Sequence, residues 1–278
     1  NKVWIWFGHI LPKTKFTLIL WTVIGIILQY ELYLLFAGLL IISALYSSVG
    51  HGGASGYLAI LSLSSYGLMS HIWLKQHVWI MNLVVASIAF YHYNRAGFHL
   101  PRLTIPFIIA SIPTAFLGGY VSIDPELYDI LLSITLLWAA YKVVNYTEIS
   151  NVKLNTPRKY EPYLWGGGIG FFSGLIGVGG GIFLSPIILL KRWATVKSAA
   201  ATAAVFIFVN SLAGIVGMGM SKQLDLDVGL LANFVIAITI GGFIGSLYGA
   251  KHADNKRVRD LLSVVLIIAA AKRFLELL

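Results

Sequence analysis

The sequence predicts an all-α, polytopic integral membrane protein. It reads as two inverted five-segment repeats plus an extra N-terminal helix, with short glycine-broken helices near the midplane. Three observations predict it. Of the 278 residues, 58% are hydrophobic and only 11% are charged, against roughly 25% charged in soluble domains. The apolar residues come in continuous runs rather than alternating, which excludes a closed transmembrane barrel. A glycine motif also appears twice, at Gly50-His51-Gly52-Gly53 and at Gly177-Val178-Gly179-Gly180-Gly181, 127 residues apart. Paired glycine breaks in corresponding apolar segments point to the substrate site of a transporter built from repeats.

Apolar segments run, in order, over 16–30, 32–49, 54–69, 73–92, 103–121, 127–146, 162–176, 181–190, 197–219, 228–248 and 258–277. A full span takes about 20 residues. The first segment is the extra helix of residues 1–31. The second ends at the first glycine motif, and 54–69 resumes after it. Segment 73–92 opens on the polar run Lys75-Gln76-His77. Segment 103–121 follows Pro101 and Arg102, and 127–146 follows Asp124 and Glu126. The polar stretch 147–161 is the linker between repeat 1 (32–146) and repeat 2 (162–278). Segment 162–176 leads into the second glycine motif. Segment 181–190 is too short to span and reads as a half-helix, which is tolerated at membrane depth only beside protein or a watery cavity. The last three segments complete the second repeat.

The 127-residue offset continues without gaps. It pairs Ile60 with Ile187, Leu63 with Leu190, Val78 with Val205, Ile80 with Ile207, Ala86 with Ala213, Phe116 with Phe243 and Gly118 with Gly245. Loop charges orient the halves. The acidic 122–126 loop has a basic counterpart in Lys251, Lys256 and Arg257, and Arg95 and Arg102 face a counterpart where Lys222 is offset by Asp225 and Asp227. Opposite bias in each pair implies inverted repeats. The N-terminus and the linker then lie on the cytoplasmic side of a cell inner or plasma membrane. Lys272 and Arg273 run against this rule. The formal charge of +9 follows from basic cytoplasmic loops and does not require nucleic acid.

The glycines can present backbone N–H groups in one direction, and such a concavity binds anions. Helix N-termini add a partial positive charge. The competing role is close helix packing, which suits Gly166, Gly167, Gly168, Gly170 and Gly174. The candidate substrate-binding residues are Gly50, His51, Gly52, Gly53, Ser55, Lys75, Gln76, Asn82, Gly177, Gly179, Gly180, Gly181, Thr202 and Asn210, with Ser185 near them. His51 either donates to an anion and carries a proton, or locks its loop. Lys75 either pairs with an anion or snorkels to the interface. Asn82 and Asn210 either bind substrate or link helices. Tyr91 and Tyr93 read as interfacial anchors, and His92, His99 and Arg95 carry no assigned chemistry. With no cysteine, thiolate and disulfide chemistry is excluded. No metal-ligand spacing, phosphate-binding loop or cofactor motif is found, and the chain does not read as an enzyme.

These residues resemble the sulfite exporter TauE/SafE family of membrane permeases. The resemblance is carried by SVGHGGASGYLAIL at 48–61, GFFSGLIGVGGGIFLSPIIL at 170–189 and KSAAATAAVFIFVNS at 197–211, and covers the chain from about residue 32 on. It implies secondary transport of a small sulfur-containing anion such as sulfite or an organosulfonate. It also implies a site at Gly50, Gly52 and Gly53 with Gly177, Gly179 and Gly180. His51, where the family more often has an apolar residue, and Lys75 depart from its commoner pattern. The expected partners are that anion, a coupling proton or sodium ion, and the bilayer, with a homodimer left open and no nucleic acid. The alternatives are a passive anion channel, or a membrane-embedded subunit without transport activity.

Overall fold

The computed structural model describes residues 15–62, 64–121 and 154–258, and positions 124, 127, 130, 134, 141, 260, 261, 264 and 267; side chains are described from Tyr30 on. Among the described residues the protein is all-helical, with no strand. The expected helices over 127–146 and 258–277 fall mostly outside them, as does the linker before residue 154.

The elements are α1 (Lys15–Ser47), α2 (Ala54–Ser62), a 3-10 turn (Ser65–Leu68), α3 (His71–Arg95), α4 (Pro101–Tyr120), α5 (Glu161–Ile176), α6 (Gly181–Leu190), α7 (Val196–Met220) and α8 (Val228–Leu247), followed by a π-turn (Tyr248–His252). Five stretches are long and apolar enough to cross a membrane: Tyr30–Ser47, His71–Arg95, Pro101–Tyr120, Val196–Met220 and Val228–His252. The two apolar segments at 16–30 and 32–49 run on as one helix. Gln29-Tyr30-Glu31 is polar but contains no helix breaker, so polarity interrupts the hydropathy and not the backbone.

Local sequence explains the other ends. The serine-rich stretch after α2 stops that helix early: Ser64 Oγ accepts from the Tyr66 amide, and Ser70 Oγ caps α3 by accepting from the Trp73 amide. Thr195 and Asp227 cap α7 and α8 in the same way. Pro101 opens α4, where its missing N–H costs nothing. Gly177, at φ 86°, closes α5 in the left-handed conformation.

Several element bounds keep the 127-residue offset. The starts of α2 and α6 lie 127 residues apart (54 and 181), as do both ends of α4 and α8 (101–120 and 228–247). Packing follows the same correspondence. Helix α4 lies along α5 and α8 along α1; α4 also packs on α7 and α8 on α3, with α3 and α7 together at the centre. Trp79, early in α3, meets Gly214, late in α7, while Tyr93, late in α3, clusters with Ala200 and Ala201, early in α7. The corresponding helices α3 and α7 thus run antiparallel.

Small residues permit this density. Gly166, Gly170 and Gly174 recur every fourth residue of α5 and lie on the α4 backbone at Phe107, Ser111 and Ala115. Gly241 and Gly245 of α8 lie against the backbone of Leu40 and Ala44 in α1, and Gly249 against that of Ser48. Gly168 meets no atom within 4 Å and Gly167 only at 3.9 Å, so these two stand outside the packing role read for them. A Cβ on Gly245 would overlap the Ala44 carbonyl. Gly245→Ala is expected to destabilise by about 1–3 kcal/mol through forced separation of α1 and α8. Gly168→Ala is expected to be neutral or to stabilise by up to about 1 kcal/mol, as removing a helical glycine does. Thermal unfolding of the two variants in one detergent checks the contrast.

Candidate functional site

Two breaks in the helical backbone build the site. After α1 the chain turns back on itself: the Gly50 amide donates to Ser47 O (3.0 Å) and the His51 amide to Tyr46 O (2.9 Å). Gly50 and Gly53 have φ of 75° and 101°, where a side chain is strained. After α5, the Gly177 amide donates to Ser173 O (2.8 Å), and Gly179 and Gly180 have φ of 71° and 82°. Gly50 lies directly on the backbone of Ala200 in α7.

The two loops converge. Gly52 abuts Asn82 of α3 and Ile207 of α7; Gly179 abuts the same two residues and Ser211; Gly181 abuts Ile207 and the His51 ring. Asn82 and Ile207 stand midway along their helices, so the loops cross at the middle of the α3/α7 core. Helices α2 and α6 start there, and their N-terminal partial charges fall on the crossing. The amides of Gly52, Gly53, Gly179 and Gly180 find no acceptor among the described residues.

Buried polar groups surround this point without partners. Asn82, 0% exposed, has neither amide oxygen nor nitrogen bonded; His51, 1% exposed, has an unpartnered Nε2; Ser211 Oγ and Ser173 Oγ are likewise unpartnered. Ser173 packs on Gly180. Such groups normally have partners, and a cluster of them at two helix starts is suited to a small polar ligand. The donors are neutral, and α2, α3, α6 and α7 carry no Asp or Glu. Among the described residues no group of three or more His, Asp or Glu is arranged to hold a metal ion.

Other sequence candidates are engaged elsewhere. Ser55 Oγ shares a hydrogen bond with Tyr46 Oη (2.8 Å), tying α2 to α1. Thr202 Oγ1 meets Thr104 Oγ1 (3.1 Å), tying α7 to α4. Gln76 Oε1 accepts from the Asp225 amide (2.7 Å), and beside it His77 Nε2 accepts from the Asp227 amide (2.8 Å). This pair clamps the loop between α7 and α8. Asn210 and Ser185 are buried and unpartnered, but neither is among the groups abutting the two loops.

Lys75 holds a backbone carbonyl, a role beside those read for it. It is 5% exposed, so it does not snorkel. Its stem covers Gly177, its Nζ lies 5.0 Å from the Trp79 ring centroid, and Nζ donates to Leu175 O (3.1 Å) in the last turn of α5. A cation there answers both the orphan carbonyl and the dipole. The counterpart of Leu175 at the 127-residue offset is Ser48, whose carbonyl accepts from Tyr93 Oη (2.5 Å). Tyr93 is 0% exposed, while Tyr91 is 53% exposed. Only Tyr91 is open to the surface as an anchor must be. The buried series Val78, Asn82, Val85, Ala89, Tyr93 keeps helical spacing, and that periodicity is the signal that separates the two tyrosines. His92 bridges to Ser246 Oγ (2.7 Å).

Removing either carbonyl's donor should loosen its break. Lys75→Met and Tyr93→Phe are each expected to cost about 1–3 kcal/mol, because each leaves a buried carbonyl unpaired. The breaks share no donor, so the double variant should be close to additive. Thermal unfolding of the three variants measures both points.

Comparison with known proteins agrees with the architecture. The sequence pattern of the family described as "Sulfite exporter TauE/SafE" matches residues 34–273. The chain is 32% identical over 240 residues, 84% of this chain and 94% of the relative, to the "Probable membrane transporter protein y4hK" of Sinorhizobium fredii (strain NBRC 101917 / NGR234). It is 26% identical over 193 residues, 61% of this chain and 68% of the relative, to the "Probable membrane transporter protein YunE" of Bacillus subtilis (strain 168). No solved structure matches. The all-helical membrane architecture, the doubled glycine break and these matches lead to one conclusion: the chain belongs to the sulfite exporter TauE/SafE family and is a membrane transporter.

Proposed function

We propose that the protein is a secondary transporter of a small sulfur-containing anion, either sulfite or an organosulfonate, which binds where the two glycine loops cross. The observation that carries this reading is the set of buried, unpartnered polar groups at the crossing, Asn82 above all, beside glycine amides that have no acceptor. A sulfonate or sulfite presents several acceptor oxygens in a small volume. The Asn82 amide, Ser211 hydroxyl and loop amides are donors of matching kind. The family's description supports the substrate class.

Transport proceeds in this reading by alternating access between two inverted repeats. The interleaved packing and the antiparallel run of α3 and α7 support that arrangement. In a bilayer of the inner or plasma membrane, the N-terminus and the 147–161 linker face the cytoplasm, as the basic loops favour.

Asn82→Leu tests the site. It replaces two unpartnered polar atoms by apolar ones of similar volume, so thermal stability should hold or rise. Binding of sulfite or methanesulfonate to purified protein should fall at least about tenfold, the worth of one hydrogen bond to an anion. Unchanged affinity in a folded Asn82→Leu protein would show that the site lies elsewhere. Reconstituted flux that never exceeds the anion's own gradient under any imposed ion gradient would make the protein a channel.

A further inference from the structure

The His51 ring stands at the crossing with two nitrogens in unequal settings. Nδ1 lies 3.0 Å from the carbonyl of Val49. A carbonyl only accepts, so Nδ1 carries the hydrogen, and in the neutral ring Nε2 is a bare lone pair. That lone pair is buried and unpartnered, and the adjoining Cδ2 edge rests on Gly181 at the start of α6. A bare acceptor is the wrong partner for an anion. Once protonated, the same atom becomes an N–H donor on a cation, and the Val49 bond is kept.

We propose that His51 takes up one proton as the anion binds, so that anion and proton cross the membrane together. This rests on the reading of the crossing as an anion site. A proton adds to Nε2 from the side on which the anion enters, the imidazolium donates to an anion oxygen, and both leave on the other side. For a monovalent anion the translocated charge is zero. The nearby elements hold no rival group suited to the task. Tyr46 of α1 is bonded to Ser55, and Tyr57 of α2 is a phenol packed on Gly53. On α3, Lys75 is held by Leu175 O, His77 by Trp73 O and the Asp227 amide, His92 by Ser246, and Tyr93 by Ser48 O. Helix α6 has no titratable residue, and Lys197 of α7 donates to Ala250 O (3.2 Å).

The test is calorimetric titration of the full chain in lipid nanodiscs with methanesulfonate, which stays ionised throughout. Two buffers of different ionisation heat, between about pH 5.5 and 8.5, bracket the imidazole range and count protons. The expected result is uptake approaching one proton per anion at the upper end. Affinity should fall about tenfold per pH unit above the imidazole pKa, because the empty site is then neutral. His51→Asn keeps a donor for Val49 O but cannot protonate, and His51→Gln serves if that variant does not fold. Either should bind more weakly, with no proton uptake and no pH dependence. Wild-type binding without proton uptake, or uptake that survives in the folded variant, overturns the proposal and leaves the anion site standing. No methanesulfonate binding by the wild type at any pH overturns the anion reading itself, and the coupling with it.

Discussion

A backbone amide or carbonyl taken out of a helix in apolar surroundings costs several kcal/mol unless it finds another partner. This chain meets that cost twice, where α1 gives way to α2 and where α5 gives way to α6. The two kinds of orphan are treated differently. The carbonyl ends are answered by the protein, through Tyr93 at Ser48 and Lys75 at Leu175. The amides of Gly52, Gly53, Gly179 and Gly180 are left without acceptors among the described residues. In the proposed reading these open backbone amides suit a ligand rich in acceptor oxygens. Preorganisation of this kind lowers the ordering cost of binding.

The glycine seams make that arrangement mechanically possible. With Gly166, Gly170 and Gly174 on α4, and Gly241, Gly245 and Gly249 along α1 and its end, backbones approach to contact. One seam ties α5 to α4 and the other ties α1 to α8. Helices α1 and α5 therefore do not depend on their own broken continuations for support. The loops themselves rest on Asn82 and Ile207, at the middle of the α3/α7 pair. The centre is thus braced from outside while its own backbone stays irregular.

Much of this architecture was legible in the sequence, for physical reasons. Hydropathy reports span length, and a glycine run in an apolar stretch reports a break, so the apolar helices and the two glycine loops were readable. Pairings across 100 residues or more were not. Nothing local to Lys75 says that a carbonyl at Leu175 awaits it, or that Gln76 and His77 will hold the amides of Asp225 and Asp227. Hydropathy also misplaced a boundary, since Glu31 lowers the apolar score without breaking α1. The asparagines show how fine the reading must be. Asn82 and Asn210 lie one residue out of register, and one residue turns a helix face by about 100°. Asn82 touches both glycine loops, whereas in α7 it is Ile207 that does so, with Ser211 at the second loop alone.

The two breaks match in backbone and differ in side chains, and the difference bears on the cycle of alternating access proposed above. Strictly identical inverted repeats would make the two end states mirror images of equal energy. Here the first loop carries His51 where the second has Val178. One carbonyl is held by the phenol of Tyr93 and the other by the ammonium of Lys75. A charged donor to a helix C-terminus is worth more than a neutral one. Only a ligand with different affinity for the two states can shift their balance. In the proposed cycle the titratable His51 stands at the first break alone, so the two breaks would not respond equally to a bound anion.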